Sequence, residues 1–227
     1  MVTRVYLIRH AEAMGNINET FQGRTDENLT EKGYRQLVEL SERFKDIPLD
    51  AIYSSPLIRA KETAKAVNKY HGLDIAYDEG LIEINGGVWE GKRWKDIPLL
   101  YPVEYNLWTY EMHKFYIEDG ESLVEVSERM QKTIGDIVSQ NVGKNIAVVS
   151  HGCAIKTYLC FASGKTLDKI QEMGWSDNTS VSLIEYEDDL IPRIIYKNNS
   201  DHLPCELSTL AFSDWHKSEE KSGELSK

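Results

Sequence analysis

"YLIRHAEAMGN", residues Tyr6 to Asn16, decides how the rest of this chain is read. It begins as a buried strand and passes without transition into a guanidinium and an imidazole, Arg9 and His10. A turn-forming Gly-Asn pair closes it. Two distant stretches echo the pattern. "AIYSSPLIRA" (Ala51 to Ala60) delivers Arg59 a few residues beyond a strand-like run, and "AVVSHG" (Ala147 to Gly152) ends in His151-Gly152. In open α/β sheets, ligands sit beyond the carboxyl ends of the strands, where helix N-termini also point. If the three strands are neighbours, Arg9, Arg59, His10 and His151 converge on one pocket.

Working outward, strand-like runs fall at "RVYLI" (Arg4 to Ile8), "DAIYSS" (Asp50 to Ser55), "NIAVVS" (Asn145 to Ser150), "SVSLIEY" (Ser180 to Tyr186) and "RIIYK" (Arg193 to Lys197). The nearly non-alternating "IAVV" predicts a central strand covered on both faces. Helical patterns lie between them. The stretch after Thr30, a predicted N-cap, carries Tyr34, Leu37, Val38 and Phe44 on one face. Pro56 opens a second helix through Lys69, and Ser122 to Gln140 is a third. Alternating strand and helix signals predict an α/β fold, a three-layer sandwich with a largely parallel sheet flanked by helices. Residues 98 to 120 break this rhythm with Tyr101, Tyr105, Trp108, Tyr110, Phe115 and Tyr116. They predict a helical insertion over the end of the sheet that carries the site. Without repeats or a Pro-rich linker, residues 1–227 are expected to form one domain, ending in a frayed polar tail, "HKSEEKSGELSK", residues 216–227.

Composition narrows the function. The 227 residues carry 26 basic against 37 acidic side chains, a formal charge of −11. That balance argues against nucleic acid or an acidic membrane as partner. An anionic ligand would need a local basic pocket. Cys153, Cys160 and Cys205 have no CxxC spacing and suit a reducing, cytoplasmic setting. The N-terminus lacks a signal-peptide pattern, and no stretch approaches the ~20 apolar residues of a membrane helix.

Two arginines and two histidines around one point suit a phosphoryl group. Arginine offers a planar fork of donors and keeps its charge. Flanking guanidinium charge is expected to hold imidazole below its ordinary ~6.5, leaving a lone pair for attack. Attack by His10 on phosphorus would split one difficult displacement into two through a phosphohistidine. Arg9, Arg59 and His151 would spread the charge on the equatorial oxygens. The leaving alkoxide needs a proton, and "LIEINGGVWEG" (Leu81 to Gly91) offers Glu83 in an apolar setting. Glu90 is a rival on the same stretch, and the residues alone do not separate the two. Ser150-His151-Gly152 lacks the Gly-x-Ser-x-Gly of a hydrolase elbow, and His10 with Glu12 lacks the partners of a zinc site.

Taken together, "LIRHAEAMGN", "SSPLIRAKETA", "LIEINGGVWEG" and "VVSHG" resemble the histidine phosphatase superfamily, the phosphoglycerate mutase-like family, over nearly the whole chain. The resemblance extends to "GESL" (Gly120 to Leu123) and "NNSDHL" (Asn198 to Leu203). It implies a mainly parallel six-stranded sheet and a phosphatase with no cofactor and no metal, acting on a small phosphorylated metabolite. It matches His10 to the phosphorylated histidine, His151 to the second histidine, Arg9 and Arg59 to the phosphate arginines, and Glu83 rather than Glu90 to the proton donor. Asn16, Gln22 and Gly23 fall where the family places further contacts to phosphoryl group or substrate, and Gly152 adjoins His151.

Two departures matter. Ala11 and Ala13 stand where the family usually has glycine and a hydroxyl residue, so one polar contact near the pocket is missing. Ala11 is tolerable if its φ stays negative. In addition, "NGGVWEGKRW" (Asn85 to Trp94) replaces the Tyr-Gly-x-Leu-x-Gly-Leu-Asn-Lys stretch by which mutases hold a phosphoglycerate, and Cys153 stands where mutases often have Asn. Both favour water as the acceptor. A phosphatase is the leading reading, with a phosphomutase and a catalytically idle phospholigand-binding module as alternatives. The sequence leaves the identity of the phosphomonoester and the oligomeric state open.

Overall fold

The computed structural model describes residues 1–212, and the tail at 216–227 lies outside the described residues. Six strands form one sheet: β1 (Thr3–Arg9), β2 (Ala51–Ser54), β3 (Ile75–Tyr77), β4 (Asn145–Ser150), β5 (Val181–Tyr186) and β6 (Pro192–Asn199). Their order is β3-β2-β4-β1-β5-β6. The first four run parallel, and β5 and β6 add an antiparallel edge. The helices are α1 (Met14–Asn18), α2 (Glu31–Phe44), α3 (Ile58–Val67), α4 (Ile97–Leu100), α5 (Pro102–Tyr110), α6 (Leu123–Gln140) and α7 (Gly152–Ala162).

The layering follows from strand alternation. On β4, Ile146 and Val148 join a core with α6 and α7, whereas Ala147 and Val149 join a second core with α2 and α3. Both faces of the central strands are thereby covered, which explains the near-continuous apolar run. The five strand-like runs all appear as strands, and β3 is an addition. With only three residues, one half-buried and two exposed, it carries little apolar signal.

Thr30 caps α2, its hydroxyl accepting from the Gly33 N–H at 2.8 Å. The buried face of α2 differs from expectation. Leu37 and Phe44 are buried together with Gly33, Gln36, Leu40 and Ser41, but Tyr34 and Val38 face solvent. The reason is steric: a Cβ at Gly33 would meet the Glu12 carbonyl oxygen at 2.2 Å, so the helix seats its glycine edge against the chain after β1. Ser122 caps α6 through a capping box with Glu125. The 98–120 segment is helical as far as Tyr110, then forms a 3-10 turn at Met112–Lys114 and an irregular return. Of its aromatics, Trp108 and Phe115 are buried, Tyr101 and Tyr105 pack against the core, and Tyr110 and Tyr116 are exposed.

After β6 the chain is tied back to α2. Arg43 Nη1 donates to His202 Nδ1 at 2.9 Å, which leaves Nε2–H for Thr179 Oγ1 at 3.2 Å. Burial, and then the Arg43 charge, lower the His202 imidazole to about 4. Its folded value lies below the unfolded one near ~6.5, so this contribution is fully present above that pH and is lost as pH falls toward about 4. In urea titrations, wild type is expected to lose stability between pH 7 and pH 5. His202→Gln is expected to lose about 1–2 kcal/mol less over the same interval.

Candidate active site

Each of three parallel strands ends at the same edge of the sheet. Arg9 closes β1 opposite Ser150 of β4, and Ser54 closes β2 opposite Val149. Two backbone bonds carry the ladder past the strand ends: His10 N–H to the Ser150 carbonyl at 3.0 Å and Ser55 N–H to the Val149 carbonyl at 3.0 Å. The exits are thus held level. His10 follows β1, Arg59 sits in the first turn of α3, and His151 is the N-cap of α7.

Arg9, His10, Asn16, Gln22, Glu83 and Gly152 line one pocket. Arg59 and His151 do not line it. Both are fully buried, and the His151 ring lies 5.1 Å from that of His10. Gly23 is also absent from the wall. Its carbonyl accepts from Arg59 Nη2 at 2.6 Å, while the Thr25 carbonyl accepts from Nη1 at 2.7 Å. Arg59 Nε donates to His151 Nδ1 at 3.2 Å, so His151 presents Nε2–H to the Ser55 hydroxyl at 2.7 Å.

His10 is oriented from several sides. Its Nδ1–H donates to the Ala11 carbonyl at 2.7 Å, which fixes the tautomer and leaves the lone pair on Nε2. Its own carbonyl accepts from Asn178 Nδ2 at 2.8 Å. Burial, then the Arg59 and Arg9 charges, hold the His10 imidazole well below its ordinary value. His151 is lowered in the same direction by burial and Arg59. Arg9 donates from Nη1 to the Ser176 carbonyl. Ala11 keeps φ outside the left-handed region, so its methyl group is accommodated. Ala13 caps α1 without a side-chain acceptor, and Asn16 Oδ1 takes the Ala13 N–H at 3.0 Å.

The two rival carboxylates separate by what surrounds them. Glu83 Oε1 accepts from the N–H groups of Ile84 and Ala154, both at 2.9 Å, and Oε2 accepts from Cys153 N–H at 3.0 Å. These bonds, from Ile84 and from the first turn of α7, favour the ionised form, yet burial outweighs them and the Glu83 value is raised. Glu90 is committed elsewhere. It accepts from the N–H groups of Arg24 at 2.8 Å, Thr25 at 3.0 Å, Gly23 at 3.3 Å and Gly86 at 2.8 Å, and from the Thr25 hydroxyl. A Cβ at Gly23 would meet Glu90 Oε1 at 2.1 Å and the Ile84 carbonyl oxygen, fixed by backbone, at 2.3 Å, so only glycine fits there. Glu90 therefore shapes the loop whose carbonyls hold Arg59.

The wall also includes Cys153, which the sequence marks as a departure from the mutases, and residues that the sequence does not single out, among them Glu19 and Trp175. Trp94 and Trp108 line it, whereas Trp89 is wholly buried in the aromatic core. Trp175 lies in an irregular connection with no period to mark it. Among the described residues, no helix is long and apolar enough to cross a membrane.

Comparison with known proteins agrees with this fold. Residues 5–199 match the family model described as histidine phosphatase superfamily (branch 1). Phosphoserine phosphatase 1 of Hydrogenobacter thermophilus is 32% identical over 187 residues, covering 82% of this chain and 88% of that one. A probable phosphoglycerate mutase, GpmB, of Escherichia fergusonii is 31% identical, covering 82% and 86% respectively. Among solved structures, YhfR of Bacillus stearothermophilus superposes with a TM-score of 0.85 at 31% identity, over 88% of this chain and 98% of that one. A mutant phosphoserine phosphatase of Entamoeba histolytica in complex with phosphoserine gives 0.79 at 28% identity, over 89% and 100%.

Glu90→Ala strips the acceptor from five donors and is expected to cost about 2–3 kcal/mol in urea unfolding. Because Arg59 hangs on the same loop, inhibition by inorganic phosphate should weaken in the same variant.

Proposed function

The chain belongs to the histidine phosphatase superfamily and is a phosphoric monoester hydrolase; from that premise we propose that it works through a phosphohistidine on His10, with Glu83 as proton donor. The observation that carries this reading is the His10 Nδ1–H bond to the Ala11 carbonyl, in a pocket shared with Arg9 and Glu83. A neutral imidazole held this way directs Nε2 at an incoming phosphorus.

In the first half-reaction Nε2 bonds to phosphorus as the ester P–O bond breaks, and the leaving alkoxide takes the proton of Glu83. In the second, water attacks the phosphohistidine, its proton returns to Glu83, and the N–P bond breaks to release inorganic phosphate. Arg9 and Arg59 supply fixed positive charge toward the equatorial oxygens. His151, neutral and joined to Arg59, keeps that guanidinium in place and adds a polar edge beside His10. Asn16, Gln22 and Gly152 are assigned to substrate contact, and Gly23 to placing Arg59 through its carbonyl. No step draws on a metal.

The pH dependence follows from the two shifts. His10 must be neutral, and its lowered value extends that form below the ordinary imidazole range. Glu83 must be protonated, and its raised value extends that form above the ordinary carboxyl range. Activity is expected to fall as pH rises through the Glu83 value. Glu83→Gln should remove that limb and slow alkyl phosphates by about 10²–10⁴-fold, with a smaller loss for p-nitrophenyl phosphate, whose leaving group needs no proton.

Rapid quench during turnover in EDTA should trap an acid-labile, alkali-stable phosphoryl label. His10→Ala should show no label and a loss of about 10³-fold or more in rate. Undiminished turnover by that variant would exclude the reading. The similarity to probable phosphoglycerate mutases gives the second reading, phosphoryl transfer to another hydroxyl, and in that case product analysis would show a phosphoglycerate isomer rather than inorganic phosphate.

A further inference from the structure

The pocket that carries Arg9 and His10 also has an extended apolar stretch of wall. Phe21, Ile84, Trp94, Trp108 and Trp175 face the space, and the charged group beside them is a carboxylate, Glu19. The indoles come from three separate parts of the chain and pack against one another. Trp94 and Trp108 lie 6.1 Å apart, Trp108 and Trp175 stack at 6.1 Å and 27°, and Phe21 approaches Trp94 at 5.2 Å. Lys156, itself buried, sits over the Trp175 ring at 4.2 Å and steadies its plane without lining the pocket. Such a surface is large, rigid and apolar, and it favours a flat aromatic group by stacking.

Glu19 is held at the rim by backbone. It ends α1 in the left-handed conformation, φ 53°, unusual for a residue with a side chain. Its carbonyl accepts from the Trp94 N–H at 2.8 Å, and Thr20 bridges to Arg93. The acidic side chain is exposed and, among the described residues, has no cationic partner. Arg9 is the cationic side chain among the described lining residues, and its Nη1 is held by the Ser176 carbonyl. With Arg9 engaged by the phosphoryl group, a carboxylate on the leaving alcohol would meet indole faces and a like charge, and no other described lining residue is a guanidinium or an ammonium.

We propose that the leaving-group end of this pocket takes an aromatic alcohol lacking a carboxylate, and that Glu19 discriminates against carboxylated esters. The inference rests on the phosphatase reading of the same site and narrows its substrate to phosphomonoesters of aromatic, uncharged alcohols.

The test compares benzyl phosphate with 3-phosphoglycerate, two alkyl esters, so that leaving-group chemistry does not decide the outcome. It also measures binding of the non-hydrolysable benzylphosphonate and 2-carboxyethylphosphonate by calorimetry. Benzyl phosphate is expected to lead in kcat/KM by about tenfold or more, and benzylphosphonate to bind tighter by a similar ratio. Glu19→Gln should narrow both ratios by about threefold at low ionic strength, an effect that added salt erases. Trp175→Ala, or Trp175→Phe if the former is unstable, should narrow them from the other side by weakening the benzyl ligands. Equal or better handling of the carboxylated pair, or ratios indifferent to Glu19→Gln, would overturn the inference while leaving phosphatase activity intact. Tighter benzylphosphonate binding with no hydrolysis of either ester would instead uphold the pocket preference and remove the phosphatase reading.

Discussion

The parallel pairing of β2, β4 and β1 is the constraint on which the site depends. Parallel neighbours bring their carboxyl ends to one edge, and a shared register brings them to one height. Here Arg9 pairs with Ser150 and Ser54 with Val149, so chain segments separated by many dozens of residues emerge level with one another. A slip of one residue between β1 and β4 would turn the strand over and move Ile8 from one core to the other. The buried faces on both sides of the sheet make that slip costly. The precision of the pocket is inherited from the packing of the sheet.

Within that frame, charge is managed by backbone as much as by side chains. Arg59 is fully buried, yet two of its nitrogens are satisfied by the carbonyls of Gly23 and Thr25, which Glu90 positions from behind. Glu83 is buried as well and draws N–H groups from the first turn of α7. These two groups therefore stay in place without pairing directly, and the carboxylate does not neutralise the guanidinium. A chain of net charge −11 can in this way keep a local basic site.

Much of this was legible from residue order. Arg9, His10, Arg59 and His151 are visible because each interrupts an apolar run where a strand must end. What escaped did so for physical reasons. The helix after His151 is buried on nearly every side, so "GCAIKTYLCFA" has no polar face to set a period. Tyr34 and Val38 have the right spacing for a core face, but the close approach of Gly33 to Glu12 rotates α2 away from them. The resemblance chose Glu83 over Glu90, and what occupies Glu90 is invisible in residue order, because its donors come from residues 23 to 25 as well as from Gly86. Trp175 and Asn178 sit in an irregular link whose importance arises only once β1 lies beside β5.

The strand order also bears on how the chain is born. β1 is the first strand made, and its two neighbours, β4 and β5, come from the second half of the polypeptide. While the ribosome is still working through the helices in between, this apolar segment has both edges unpaired. Such long-range closure slows folding and leaves a sticky template in the nascent chain. The same arrangement ties the candidate site to late synthesis: until β4 docks, His10 and His151 belong to separate pieces, and their rings cannot come together.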